Sequence, residues 1–126
     1  MNYPENLLYT KDHEWIRFDS DYAIIGITEF AQKELGDIVY LDITTLNETL
    51  EREKVFGTIE AVKTVSDLFI PITGTILEIN PKVNESPELV NKDPYGEGWI
   101  IKVKIITEAE KKDLLSVNEY KKLIGA

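Results

Sequence analysis

The sequence predicts a mainly β, single-domain fold that ends in short helices. Runs of β-branched and aromatic residues recur between residues 22 and 105, several with alternating apolar and polar positions. Two Ser/Thr-x-x-Glu sequences, Thr107–Glu110 and Ser116–Glu119, match the capping box that begins many helices. No linker or low-complexity segment divides the 126 residues. We therefore expect one domain, 1–126, with strands over about 22–105 and C-terminal helices over about 107–124.

The first predicted elements are a strand, a short helix and a second strand. Tyr22–Ile27 is an apolar run typical of a buried strand. Thr28 is a suitable N-cap and Gly36 a suitable C-terminal stop, so a short helix is expected between them. Residues 37–43 return to strand character, and 48–54 form a charged connector.

The next strands are predicted over 55–62, 65–70, 75–79 and 99–105. The last of these alternates cleanly, which indicates one buried and one solvated face. Between them, the polar segment 82–98 is expected to hold turns and one helical turn near residues 88–91. One face of the 55–62 strand is expected to carry Val55, Gly57, Ile59 and Ala61. A short internal similarity, Gly36–Asp42 against Gly74–Asn80, suits two related halves of a β-sandwich.

Composition argues against several functional classes. The net charge of −9 opposes nucleic-acid binding, and it suits solubility or docking onto basic patches of partner proteins. The absence of cysteine excludes disulfides, thiolate metal sites and a cysteine nucleophile. The single histidine, His13, excludes a multi-histidine metal site, and we expect it to be structural. No metal or catalytic residue is predicted.

The N-terminal segment predicts no targeting or membrane function. It lacks the basic start and apolar core of a secretory signal, and the Arg/Ser-rich character of a transit peptide. No apolar run approaches the ~20 residues that a membrane-spanning helix needs. A cytoplasmic protein without a membrane partner is therefore expected.

Lys63 is the candidate site residue. It lies between two predicted strands within Gly57–Gly74, which places it at the tip of a β-hairpin, and a glycine follows 11 residues later. Such a lysine suits covalent attachment of a cofactor arm, because tethering raises the effective concentration of the reacting group near docked partners. The alternative is a solvated lysine in a turn.

The residues around this lysine resemble the attachment hairpin of lipoyl and biotinyl domains. Biotinyl sites usually have methionine on both sides of the lysine, whereas Val62 and Thr64 occupy those positions here. The resemblance therefore favours lipoate over biotin on Lys63. The residues that carry it are Glu60-Ala-Val-Lys63, Val65, Asp67, Pro71 and Gly74.

Five blocks of the chain resemble the glycine cleavage H-protein family, in the family's order over about residues 7–123. They are Tyr9–Trp15, Gly26–Gln32, Leu35–Val39, Phe56–Asp67 and Asn91–Trp99. The resemblance implies a barrel-sandwich hybrid of the lipoyl/biotinyl hammerhead type, with 1–126 as one lipoyl-carrier domain. Asn47 stands where the family usually has glycine, and asparagine tolerates the left-handed backbone expected there.

The resemblance also implies a carrier function without catalysis. A lipoyl group on Lys63 would take the aminomethyl group of glycine from a pyridoxal-phosphate-dependent glycine decarboxylase to a tetrahydrofolate-dependent aminomethyltransferase. A lipoate-attaching enzyme would first modify the lysine. After each cycle the reduced lipoyl group would pass its electrons to dihydrolipoyl dehydrogenase. A carrier that visits several enzymes is expected to be a monomer.

Two acids are expected to contact the loaded arm, because its amine would be cationic. These are Glu14 and Asp67; the alternatives are a surface acid beside a packed Trp15 and a cap of the hairpin turn. The stretch Asp93–Trp99 is a further candidate for lining the cleft that receives the arm.

The sequence features are compatible with four alternative functions. A lipoate relay protein, which donates lipoyl groups to other enzymes, would share every feature above. A lipoyl domain from a 2-oxo-acid dehydrogenase complex would be shorter, near 80 residues, and would lack the capped C-terminal helices. A biotin carrier and an unmodified β-sandwich binding module are the remaining alternatives.

Overall fold

The computed structural model describes residues 1–126 and contains nine strands and five short helical segments. The strands are β1 (Leu8–Tyr9), β2 (Glu14–Asp19), β3 (Tyr22–Ile27), β4 (Ile38–Asp42), β5 (Thr49–Leu50), β6 (Val55–Ala61), β7 (Val65–Phe69), β8 (Gly74–Ile79) and β9 (Ile101–Ile105). The helical segments are α1 (Glu29–Leu35), α2 (Pro81–Glu85), α3 (Leu89–Lys92), a 3₁₀ helix (Glu108–Asp113) and α4 (Val117–Ile124). No helix is both long enough and apolar enough to span a membrane.

The strands form two antiparallel sheets, which confirms the mainly β prediction. One sheet has six strands in the order β1-β2-β3-β9-β8-β5, and the other has three in the order β4-β6-β7. A single cluster of 20 buried apolar residues contains side chains from both sheets, among them Ile25 and Val103 from the larger and Ile59 and Leu68 from the smaller. The sheets therefore pack on a shared core, and they do not close into one barrel.

A second, smaller core attaches the chain ends to the larger sheet. It joins the N-terminal segment, β2 and α4 through six buried residues, four of which are aromatic. Aromatic side chains bury much surface each, so this cluster fixes α4 firmly on the sheet. Its members are Tyr3, Leu7, Tyr9, Trp15, Ile24 and Tyr120.

The predicted start of the strands at residue 22 is wrong, because β1 and β2 precede it. In β2 the sequence Glu-Trp-Ile-Arg-Phe-Asp mixes charged and apolar residues without clean alternation, and Glu14, Trp15 and Ile16 are all buried. Tertiary packing, rather than a local pattern, therefore makes this segment a strand. The charged connector 48–54 likewise contains the two-residue strand β5, paired with β8.

A β-bulge overturns the predicted faces of β6 at its start, whereas Ile59 and Ala61 share a buried face as predicted. The pairing with β7 shifts between Val55 and Gly57, so the intervening Phe56 is an extra residue. As a result Phe56 joins Ile59 in the core, whereas Val55 is exposed.

Two further bulges support the internal similarity seen in the sequence. They lie at Val39 in β4 and Leu77 in β8, which are equivalent positions of Gly36–Asp42 and Gly74–Asn80. Both leave an apolar side chain exposed. The same seven-residue unit, with the same irregularity, thus occurs once in each sheet.

Two of the predicted helices begin and end where expected. The Thr28 hydroxyl accepts a hydrogen bond from the N–H of Ala31 at 3.2 Å, and Gly36 ends α1 with φ of +84°. Ser116 and Glu119 form a complete capping box at the start of α4. Asn47 adopts the expected left-handed backbone, with φ of +69°.

The predicted capping box at Thr107 is wrong. The Thr107 side chain makes no capping hydrogen bond, and the segment that follows is a 3₁₀ helix. Glu110 instead accepts hydrogen bonds from the backbone N–H of Thr73 at 2.6 Å and from its hydroxyl at 2.8 Å. Helix α2 was not predicted; the Asn80 side chain caps it, and Pro81 occupies its first turn.

Candidate attachment site and acidic cavity

The structure places Lys63 at the tip of the β6–β7 hairpin, as predicted. The N–H of Ala61 donates to the carbonyl of Thr64 at 2.8 Å, which leaves Val62 and Lys63 as the tip. Neither tip residue has positive φ, so the turn does not require glycine. A lysine can therefore occupy the tip of the hairpin without backbone strain.

The tip is also anchored to the junction between α1 and β4. The N–H of Val62 donates to the carbonyl of Asp37 at 3.0 Å. The side chain of Asn91 holds that junction, because it donates to the carbonyl of Gly36 at 2.9 Å and accepts from the N–H of Ile38 at 2.9 Å. Backbone contacts with the α1–β4 junction thus restrain the hairpin tip.

The Lys63 side chain is exposed and lies over Gly36. A Cβ atom built on that glycine would be 3.3 Å from Lys63 Cε, so the missing side chain leaves room for the lysine. The Lys63 ammonium forms none of the salt bridges in the molecule. The amine is therefore sterically and electrostatically free for modification.

A cavity of about 150 Å³ lies beside the hairpin. Ser66 and Asp67, three and four residues after Lys63 on β7, form part of its wall. Glu34 and Leu35, next to Gly36 at the end of α1, form another part. The complete lining is Asp12, His13, Glu14, Ile27, Ala31, Glu34, Leu35, Ile59, Ser66, Asp67 and Leu68.

Glu14 is the buried acid of this cavity, which corrects the alternative of a surface acid. Only 2% of it is exposed. Its Oε1 accepts from the Thr10 hydroxyl at 2.9 Å, and its Oε2 accepts from the N–H of Phe69 at 3.1 Å. Burial raises the pKa of Glu14 to about 8, although these two hydrogen bonds oppose the rise. The carboxyl is therefore largely protonated at pH 7.

Asp67 lies on the exposed side of the same cavity. It sits within β7 opposite Thr58, so the alternative of a cap on the hairpin turn is wrong. Asp12 and Glu34 also line the cavity. Several carboxylates in one recess attract cations, and Glu14 can gain a charge when one arrives. The structure thus brings Glu14 and Asp67 together in one acidic cavity.

His13 has a partner that the sequence did not reveal. Its Nδ1 lies 2.9 Å from the hydroxyl oxygen of Tyr120, which in turn lies 2.8 Å from Thr28 Oγ1. His13 adopts a left-handed backbone with φ of +68°, and burial lowers the pKa of its imidazole. The 107 residues that separate His13 from Tyr120 hid this contact from any local pattern.

Asp93–Trp99, expected to line the arm cleft, contributes no residue to the cavity beside the hairpin. Asp93, Gly96, Glu97 and Trp99 line a different cavity, of about 560 Å³, to which the hairpin contributes nothing. Pro94 instead supports the smaller core, because its carbonyl accepts a hydrogen bond from the Trp15 indole N–H at 2.9 Å.

The chain is similar in sequence to known proteins over nearly its whole length. The family model described as glycine cleavage H-protein matches residues 7–126. The glycine cleavage system H protein of Bacteroides fragilis is 56% identical over 126 residues, covering all of both chains. That of Halothermothrix orenii is 48% identical, covering 95% of this chain and 94% of its own.

A solved structure agrees at the level of the fold. The glycine cleavage system H protein from Mycobacterium marinum superposes with a TM-score of 0.88 at 34% identity, covering 98% of this chain and 100% of its own. Sequence over the full length and fold therefore lead to one conclusion: the chain belongs to the glycine cleavage H-protein family.

Proposed function

We propose that this chain is the lipoylated carrier of the glycine cleavage system, with lipoate joined through an amide bond to Nζ of Lys63. The observation that carries the proposal is a free lysine on a restrained hairpin tip beside an acidic cavity. When bound, the lipoyl group supplies a disulfide that accepts and releases groups and electrons. The chain has no cysteine, so no protein thiol competes in thiol–disulfide exchange.

The cavity fits the end of such an arm rather than its whole length. Sites that enclose a drug-sized molecule are usually larger, at about 300–1,000 Å³. Its wall begins three residues along β7 from Lys63, about 10 Å at the usual strand rise. The arm can therefore fold back along β7 and place its end in the recess.

Glu14 and Asp67 would hold the cationic amine of the loaded arm. A cation beside the buried carboxyl favours its ionised form, so Glu14 would release its proton as the amine enters. Asp67 would contribute charge from the exposed side. The apolar walls formed by Ile27, Ile59 and Leu68 would keep water from the cargo.

The partners follow from the same role. The carrier itself would catalyse no step. A lipoate-attaching enzyme would modify Lys63, glycine decarboxylase would load the arm, aminomethyltransferase would unload it, and dihydrolipoyl dehydrogenase would reoxidise it. The acidic net charge of −9 suits transient docking onto basic surfaces of these enzymes.

Lys63→Arg tests the attachment site. Protein produced with lipoate and a lipoate-attaching enzyme should gain one lipoyl-sized mass on the peptide that contains Lys63. The arginine variant should gain none, and it should lose glycine decarboxylation and exchange with a nearly unchanged thermal midpoint, because Lys63 is exposed. Lys54→Arg, an exposed lysine just before β6, is the matched control and should behave as wild type.

Other outcomes of this experiment would contradict the proposal. A biotin-sized addition, modification of another lysine, or full activity of Lys63→Arg would each overturn the assignment. A lipoylated protein that supports no glycine decarboxylation but passes its lipoyl group to other enzymes would instead be a lipoate relay.

Glu14→Gln tests the acidic cavity. The amide keeps the shape of the carboxyl but cannot ionise, so the loaded arm should lose its aminomethyl cargo several-fold faster at pH 7 to 8. Mass spectrometry of loaded protein over time measures this rate. Glu78→Gln, on β8 outside the cavity, should leave the rate unchanged. An equal rate in wild type and Glu14→Gln would remove the proposed role.

A further inference from the structure

The hydroxyl of Tyr120 joins two segments that line the acidic cavity. It lies 2.9 Å from Nδ1 of His13 and 2.8 Å from Oγ1 of Thr28. His13 lines the cavity and precedes Glu14 in the chain, while Thr28 caps α1, which supplies Ala31 and other residues to the wall. The hydroxyl of one residue of the C-terminal helix thus contacts both His13, in one wall of the cavity, and Thr28, at the start of the helix that forms another.

These contacts form a closed ring around His13. The backbone N–H of Thr28 donates to the carbonyl of His13 at 3.0 Å, and Tyr120 connects the His13 imidazole to the Thr28 hydroxyl. His13 has φ of +68°, a conformation that costs energy for a residue other than glycine and persists only when its surroundings impose it. Because Glu14 is the next residue in the chain, the restraint on His13 also fixes the position of the Glu14 backbone.

Tyr120 is itself held firmly. It is fully buried in the smaller core, and its ring stacks on Tyr9 with centroids 4.8 Å apart and planes 9° apart. Burial raises the pKa of its phenol to about 12, so the neutral hydroxyl can both donate and accept a hydrogen bond. Tyr120 does not line the cavity, and therefore its effect on the arm must act through His13 and Thr28.

We infer that Tyr120 is a positioning residue for the loaded arm: its hydroxyl holds the His13–Glu14 wall and the α1 wall at the spacing that shields the aminomethyl cargo from water. This inference rests on the proposed function of the acidic cavity. It gives the C-terminal helix a role in retaining cargo, although that helix contributes no residue to the hairpin.

Tyr120→Phe tests this inference, because it removes the hydroxyl and keeps the stacked ring. The full-length lipoylated variant, loaded with glycine and glycine decarboxylase, should lose its cargo roughly five- to tenfold faster than wild type, as expected for one lost hydrogen-bonding group. Its lipoylation rate should be unchanged, since the hairpin is untouched. Intact mass measured over time reports both quantities.

Tyr9→Phe is the matched control. Tyr9 is the stacking partner of Tyr120, is equally buried, and donates its hydroxyl to the carbonyl of Pro4 at 2.6 Å, away from the acidic cavity. This variant should lose a similar amount of stability and retain its cargo as wild type does. Equal cargo loss in the two phenylalanine variants would overturn the inference, because general loosening would then explain both.

A second readout needs no lipoyl group. In the unmodified protein, hydrogen exchange of the Thr28 and Ala31 amides should quicken in Tyr120→Phe but not in Tyr9→Phe, because Thr28 loses its tie to α4. In the same cargo assay, Glu14→Gln distinguishes a failure of the cavity assignment from a failure of the positioning role of Tyr120. If Glu14→Gln also has no effect, the cavity assignment fails. If only Tyr120→Phe has none, the positioning role fails.

Discussion

At the scale of single residues, Glu14 shows how an environment changes the chemistry of a side chain. Its carboxyl is buried between the two sheets, with one hydrogen bond to each oxygen and no salt bridge. Desolvation penalises the charged form, and two neutral donors offset only part of that penalty. The same residue type at an exposed position would be ionised throughout the physiological range.

This environment predicts a pH-dependent stability. In the unfolded chain Glu14 ionises near its ordinary pKa of 4.5, whereas the folded protein retains the proton to about pH 8. Between these values the folded state binds the extra proton, so its contribution to the free energy of unfolding falls as pH rises, by at most about 1.4 kcal/mol per pH unit. Below pH 4.5 and above pH 8 the contribution is flat.

Urea unfolding of wild type and Glu14→Gln at several pH values measures this contribution. The glutamine can still accept from the Phe69 N–H and donate to Thr10, but it cannot titrate. The variant should therefore gain stability relative to wild type from pH 5 to pH 8, by on the order of a few kcal/mol. Near pH 4 the two proteins should be nearly equal. Parallel stability profiles would show that Glu14 is not protonated in the fold.

Whether a site residue could be predicted depends on how far apart in the sequence its contacts are. Lys63 was found from local spacing, because a hairpin tip is a local structure. The roles proposed for Glu14 and Asp67 came through the family resemblance. Glu14 accepts a hydrogen bond from Phe69, 55 residues away, and the inferred role of Tyr120 rests on its contacts with His13 and Thr28. No pattern in a single sequence reveals contacts of this range.

At the scale of elements, two similar capping sequences have different outcomes. Ser116 and Glu119 bond each other's backbone N–H groups at 2.8 and 3.2 Å, and α4 follows. Glu110, by contrast, is drawn to the Thr73 N–H and hydroxyl, with Arg52 3.8 Å away. A tertiary partner thus removes the carboxylate that the first box would need. Competition between local and distant partners explains why one prediction was right and the other wrong.

This difference predicts unequal effects of two alanine substitutions. Ser116→Ala should lower the free energy of unfolding by about 1 kcal/mol, the usual value of an N-cap side chain. Thr107→Ala should change it by less than about 0.5 kcal/mol, because its side chain makes no capping bond. Chemical denaturation of both variants measures the contrast. Equal losses would mean that Thr107 caps its helix in solution after all.

At the scale of the whole molecule, the class of fold could be predicted but its assembly could not. Alternation and turn residues identified every strand from residue 22 onwards except β5, since these signals are local. The order β1-β2-β3-β9-β8-β5 depends on pairings such as β3 with β9, which are about 80 residues apart. The bulge at Phe56 likewise depends on the pairing of β6 with β7, and for this reason the sequence misassigned the faces at the start of β6.

The hydrogen bond from the Phe69 N–H to Glu14 joins the smaller sheet to the larger one, and it does so with a group that weakens the fold as the pH rises. Selection for stability alone would favour glutamine, which can accept the same hydrogen bond from Phe69 without the loss of stability that Glu14 causes as the pH rises. Under the proposed function, Glu14 therefore marks a trade-off between stability and retention of the cargo, as functional residues often do. A variant library screened only for heat resistance should enrich Glu14→Gln, and the enriched proteins should be poorer carriers.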